Sequence, residues 1–310
     1  MAKKVFISYS HAQSDWVLRR LVPCLEAGGT EVLIDRERFE AAKRLVGQMD
    51  STQDAADATV LVFSPEYLGS ANCLHEMRRA VARDPSFEHG SAIPVKRVDC
   101  ELPESILQPN PVYVDIRDDR DPAPWDLLLQ ACDADLGTAP PDWLRARDEV
   151  VLHLERNQSV NLVVKGKVKW RELVHHVARK TPGSSTFGIV DLDSPATVSR
   201  QGLVAELLKA CGLASVARNA DGLEALNRIS ERDTVYKLAI LHFDNVVQRK
   251  YGPDLFSSLR YLTMDRRKLV LMVVSRSPFA TVLARTPAMP ADYESSRIDL
   301  KTVELHGTPS

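Results

Sequence analysis

The run "VFISYSH", Val5 to His11, passes from a short apolar stretch straight into hydroxyls, an aromatic and a histidine. Ser8, Tyr9 and Ser10 each carry a group that can donate and accept a hydrogen bond, and the serines are small enough to let a ligand approach the backbone. Taken alone, the same run is a strand end followed by a turn, with Ser14 or Asp15 capping the next helix. Glu76, in "NCLHEM", follows Ser70 and Cys73 at three-residue steps and supplies a carboxylate. Taken alone, it is a solvated charge on a helix. In "DRERFEAAK", Phe39 stands between Arg38 and Glu40. An apolar aromatic between charges suits stacking on a base, a subunit contact, or a ring tucked onto the core. His11 and His75 suit proton carriers or, more commonly, surface residues, and neither is assigned a role.

The elements that must position these groups alternate in the first half. Val5–Tyr9 reads as a strand and Asp15–Ala27 as a helix, with Trp16, Leu18, Leu21, Val22 and Leu25 at helical spacing. Gly28-Gly29 ends that helix. Glu31–Ile34 is a second strand, 35–42 a charged loop and 43–51 a helix. "ATVLVFS", Ala58–Ser64, is apolar throughout, as befits a central strand covered on both faces. Asn72–Arg83 is a helix, Ser91–Val95 and 111–114 are short strands, and Trp125–Leu136 is a helix. Five strands separated by helices build a parallel sheet, whose ligands bind outside the carboxyl ends of the strands. Ser8, Tyr9 and Ser10 leave the first strand at that edge.

Composition sets the class. The chain has 310 residues, about two domains' worth, with 44% hydrophobic and 26% charged residues and a formal net charge of -2. That balance gives no global basic field for nucleic acid or an anionic membrane. The five cysteines, Cys24, Cys73, Cys100, Cys132 and Cys211, are scattered and form no metal-ligand spacing. The apolar run after Met1 to Lys4 is too short for a signal peptide, and no stretch reaches the length of a membrane span. A cytoplasmic protein is expected.

The segment from "VFISYSHAQSDW" through "LIDRERFEAAK" to "ATVLVFSPEYLGSANCLHEM" resembles a TIR domain. The resemblance covers the first 137 residues and implies a flavodoxin-like α/β fold with a five-stranded parallel sheet. Some TIR domains are assembly modules, and others cleave NAD+ at the nicotinamide–ribose bond using a glutamate on the helix after the third strand. Glu76 matches that residue. The resemblance places Ser8, Tyr9, Ser10 and Cys73 in the pocket, with Arg38, Phe39 and Glu40 on the loop that lines the cleft. NAD+ is then a substrate, and no cofactor or metal is implied. Loss of nicotinamide leaves an oxocarbenium-like ribose. One carboxylate can hold the ribose hydroxyls and stabilise that charge, and the neutral leaving group needs no acid. The sequence departs from the family at Ala41-Ala42 and at Asn72, both of which bear on substrate contact. Family members associate TIR to TIR to complete the cleft. The resemblance therefore implies a resting chain that is activated by assembly or by a partner, in anti-phage defence or another cell-suicide system. A non-catalytic TIR scaffold is the alternative.

From Gly137 the pattern changes. Residues 138–159 read as a connecting helix, and 160–310 as a second α/β domain. Strands are expected at Val160–Val164, Phe187–Leu192, Lys237–Phe243 and Lys268–Val274, with an edge strand at Ile298–Leu305. Helices are expected at Trp170–Lys180, Arg200–Cys211 and Leu255–Thr263. "NLVVKGKVKWRELV" has the strand–loop–helix layout of a phosphate loop, and "KLAILHFDNV" has an apolar strand leading to Asp244. The half resembles a degenerate STAND-type P-loop NTPase. Only Gly166 remains of the glycine-rich loop, Trp170-Arg171 stands where a hydroxyl would hold Mg2+, and Asn245 replaces a water-activating glutamate. Neither ATP hydrolysis nor tight ATP binding is expected. The half reads as a sensor, oligomerisation or docking module. Its basic clusters at Lys165–Arg171 and Arg266–Lys268 read as solvated faces, with nucleic acid a secondary prospect.

Overall fold

The computed structural model describes residues 2–34, 51–108, 113–180, 187–213, 222–249, 251–286 and 298–308. The chain divides into two compact units, Met1–Leu144 and Arg145–Ser310. Each holds a five-stranded, all-parallel sheet with helices in the crossovers, so the chain consists of two α/β domains.

In the first unit β1 (Lys4–Tyr9), β2 (Glu31–Leu33), β3 (Ala58–Phe63), β4 (Ala92–Lys96) and β5 (Val114–Asp115) take the order β2-β1-β3-β4-β5. Every residue of β3 is buried, which is why its run is apolar throughout. The helical stretch after β1 begins with turns at His11–Gln13 and Ser14–Trp16. It widens into a π-helical turn at Val17–Leu21 and closes as α1 (Val22–Gly28). Pro23 lacks the N–H that would bond back to Arg19, which favours the wide turn before it. Ser10, rather than Ser14 or Asp15, caps this stretch: its Oγ accepts from the Ala12 N–H, whereas Ser14 Oγ donates to the His11 carbonyl. Gly29 ends α1 in the left-handed region at φ 101°.

Two short helices that the sequence did not announce follow: α2 (Pro65–Leu68) before α3 (Ala71–Arg83), and α4 (Glu104–Leu107). The helix expected at Trp125–Leu136 instead spans Pro122–Ala131 (α5). Pro122 occupies its first turn under an Asp121 cap, and Asp133, at φ 55°, lies beyond its end. Fully buried Trp125 packs 5.8 Å from Trp16, ring centre to ring centre. Asp119 receives both indoles, Trp16 through its carboxylate and Trp125 through its carbonyl.

Asp84, buried at the end of α3, accepts backbone N–H groups from His89 at 3.3 Å and Ser91 at 3.0 Å, fixing the approach to β4. Burial would raise its pKa, but these bonds outweigh it and hold the carboxyl below its ordinary value. The stability this contributes is present above the unfolded carboxyl pKa, about 3.9, and is lost as pH falls through the lower folded value. Asp84→Ala is expected to cost about 2 kcal/mol, because two amides lose their acceptor. The urea midpoint at pH 7 measures it, and the difference from the wild type should shrink in strong acid.

Helix α6 (Pro140–Glu155) carries the divide between the units. In the second unit β6 (Val160–Lys165), β7 (Phe187–Asp191), β8 (Tyr236–Leu241), β9 (Leu269–Ser275) and β10 (Lys301–His306) take the order β10-β6-β9-β8-β7. Helices α7 (Trp170–Lys180), α8 (Arg200–Ala210), α9 (Gly222–Ser230), α10 (Pro253–Arg260) and α11 (Phe279–Ala284) complete it. Buried Asn161 ties three elements together. It donates to the Val273 carbonyl and to Ser275 Oγ, and accepts the Phe279 N–H. The edge strand expected near the end of the chain is β10, paired in parallel with β6.

Candidate functional site

Strands β1 and β3 are neighbours whose chain connections run to opposite sides of the sheet. Open α/β sheets bind ligands outside the carboxyl ends of the strands at such a reversal of strand order. Ser8 and Tyr9 pair with Leu61 and Val62 at that edge. Beyond β3, Ser64 caps α2 by accepting the Tyr67 N–H, and Ser70 caps α3 by accepting the Cys73 N–H. These two caps set the direction of α3, which brings Glu76 over the end of β1.

The groups that meet there form a chain. Ser8 Oγ lies 2.5 Å from Glu76 Oε2 and 2.8 Å from the Tyr67 hydroxyl. Serine has one proton. With that proton donated to the carboxylate, the tyrosine must donate to the serine, so both hydroxyl protons point along the chain toward Glu76. Burial pushes the Tyr67 phenol well above its ordinary pKa, the charge of Glu76 pushes it further, and the hydrogen bond with Ser8 offsets part of the rise. The phenol therefore keeps its proton. Ser8, Tyr67 and Glu76 are 1%, 0% and 5% exposed. Gln53 donates to the backbone carbonyl of Glu76 at 2.9 Å, holding the helix turn that bears it.

The expected site residues fall into three groups. Ser8 and Glu76 touch directly, with Tyr9 one residue further along β1. Ser10 serves as a cap, and the Cys73 side chain packs into an apolar cluster with Leu61, Phe63, Tyr67 and Met77. Arg38, Phe39 and Glu40, and the departure at Ala41-Ala42, lie outside the described residues. Tyr67 and Gln53 were not singled out from the sequence. The signal for Tyr67 was its place in "SPEYLGS", a serine-capped turn directly after the central strand.

The carboxyl edge of the second sheet holds a pocket of about 250 Å³, lined in part by Gly166, Trp170, His242, Asp244 and Arg276. The loop after β6 is paired with the end of the chain. The Lys167 N–H donates to the Thr308 carbonyl, and the Gly307 N–H to Lys165. Gly166, at φ 77°, lies so close to this segment that a Cβ there would stand 2.6 Å from the Thr308 oxygen. Arg171 lies 3.3 Å from Asp191, with its guanidinium over the Trp170 ring. Strand β8 stops at Leu241, three residues before Asp244, which corrects the expected strand to Phe243. His242 leaves it in the left-handed region and meets Asp191 at 2.6 Å. Asp244 accepts the Arg276 N–H. Burial tends to raise the Asp191 pKa, but the His242 and Asp193 hydrogen bonds and the neighbouring charges carry it below its ordinary value.

Among the described residues, no three His, Cys, Asp or Glu side chains are placed to hold a metal ion. No helix among them is long and apolar enough to cross a membrane.

No curated protein matches the chain. The TIR domain of the Toll-related receptor TRR-2 from Hydra magnipapillata aligns at 21% identity, covering 41% of this chain and 96% of that one, with a TM-score of 0.37. The ORC2 protein of Aeropyrum pernix aligns at 10% identity over 54% of this chain and 46% of that one, TM-score 0.41. NtrX from Brucella abortus aligns at 11% identity over 99% and 69%, TM-score 0.35. Residues 5–129 match the family model described as TIR domain, and this stretch of the first unit is assigned to that family.

Proposed function

We propose that the first unit cleaves NAD+ at the nicotinamide–ribose bond, with Glu76 as the catalytic residue. The observation that supports this is the Glu76 carboxylate bonded to Ser8 beside the carboxyl ends of β1 and β3. The reaction needs little else. The bond from ribose C1′ to the pyridinium nitrogen breaks, and nicotinamide leaves with the electron pair as a neutral molecule. The positive charge left on the ribose is stabilised by the carboxylate. Water adds at C1′ and releases one proton, giving ADP-ribose. Ser8, bonded to the carboxylate, and Tyr67, bonded to Ser8, act as positioning residues for Glu76.

TIR domains self-associate, and association is proposed to raise turnover by bringing Arg38, Phe39 and Glu40 to the substrate. The second unit is proposed to bring chains together in response to a partner or ligand. ATP is not its proposed ligand: a phosphate cradle needs free backbone amides, and the Lys167 amide is paired with Thr308. A second reading, a non-catalytic TIR scaffold, is favoured by the burial of Glu76 at 5% exposure.

Ser8→Ala is expected to lower turnover by about a hundredfold through misplacement of the carboxylate. Ser8→Thr, which keeps the hydroxyl, should restore a measurable part. Nicotinamide release by the chain clustered on a scaffold checks both. Equal rates for Ser8→Ala and wild type would remove the positioning role.

A further inference from the structure

The amino-terminal edge of the second sheet holds a larger pocket, of about 440 Å³. Its floor is made where three neighbouring strands begin: Ser159 precedes β6, Leu269 opens β9 and Lys301 opens β10. Open α/β sheets ordinarily bind ligands at the opposite edge, so this pocket has a different origin from the loop at Gly166.

The lining is unusual in charge. Arg156, Arg267 and Lys301 converge on it, against one carboxylate, Asp299. None of the four forms an ion pair among the described residues, whereas many other cations of the second unit do, including Lys165, Arg171, Arg260 and Lys268. Arg156 follows the end of α6, where a cation suits the helix dipole. Lys301 opens a strand and has no such reason. Arg267 sits at φ 51°, a conformation that a long side chain adopts at a cost. Unpaired guanidinium forks fit phosphate oxygens two at a time. Beside them, Met264 is 39% exposed and Leu269 and Val270 form an apolar floor. The volume lies within the range of pockets for small ligands, about 300–1,000 Å³.

We propose that this pocket binds a small phosphate-bearing ligand of nucleotide size, with its phosphate on Arg156, Arg267 and Lys301 and its ring against Met264. Such a ligand gives the second unit an input separate from the Gly166 loop. The attraction is electrostatic and open to solvent, so it weakens as salt rises.

Calorimetric titration of the full chain tests this with AMP, inorganic pyrophosphate and adenosine as probes. AMP and pyrophosphate are expected to bind at low salt, and adenosine at least tenfold more weakly. Arg267→Asn removes the charge and keeps a residue that tolerates the left-handed backbone. That variant, and separately Arg156→Gln with Lys301→Gln, should lose at least tenfold in AMP affinity with an unchanged circular dichroism spectrum. No heat with AMP or pyrophosphate, or affinities unchanged in both variants, would overturn the proposal. So would a short single-stranded oligonucleotide binding more than tenfold tighter than AMP, since that marks an extended nucleic-acid surface. The readout is direct binding and does not depend on NAD+ cleavage.

Discussion

Glu76→Gln is expected to lower NAD+ cleavage by the clustered chain by about a hundred- to a thousandfold, the usual cost of one electrostatic group at a developing charge. Glutamine keeps the shape of the side chain and can still accept from Ser8. What it loses is the negative charge that the proposed mechanism sets against the ribose. Folding is therefore expected to survive. An unchanged thermal midpoint with collapsed turnover separates loss of chemistry from loss of structure. The effect should appear in kcat more than in KM, because the stabilised charge exists only as the bond breaks.

Trp125→Ala is expected to destabilise the first unit by about 3–5 kcal/mol. That is a large share of the total for a domain, about 5–15 kcal/mol. The side chain is fully buried, packs against Trp16 and donates to the Asp119 carbonyl at 2.9 Å. Trp16 also lies under Arg97, at 5.0 Å from the guanidinium carbon, so the cavity would loosen a joined group rather than one ring. Urea unfolding measures the loss. Trp125→Phe should cost about half as much, since the packing largely remains and the hydrogen bond goes. Similar midpoints for Trp125→Ala and wild type would show that this region contributes little.

The fold was legible wherever the physics is local. "ATVLVF" is apolar because β3 is covered on both faces, and the helices from Ala71 and Arg200 show their apolar spacing. Helix α5 was misplaced because its first turn is "PAPW", and proline reads as a breaker unless the Asp121 cap is recognised. Helices of four residues, such as Pro65–Leu68, are too short to show a period. Asp244 lies beyond β8 because His242 turns the chain through the left-handed region, which no apolar pattern announces. In the candidate site, Ser8 and Glu76 were singled out through the family resemblance, since taken alone they read as a strand end and a solvated charge; the structure brings the two side chains into contact. The Tyr67 hydroxyl was not, because its partner is 59 residues away and only the packing of α2 on β1 and β3 brings them together. The caps at Ser64 and Ser70 were present in the sequence as a repeated serine before a helix, a signal that could have pointed to both Tyr67 and Glu76.

Cleavage of NAD+ through Glu76 is the proposed activity of this chain. Its most direct test holds the wild type and Glu76→Gln on the same clustering scaffold with NAD+ and quantifies nicotinamide and ADP-ribose over time. One nicotinamide for each NAD+ lost is expected from the wild type, and release near background from the variant. Intact NAD+ with verified clustering of the wild type, or equal release by both chains, would contradict it.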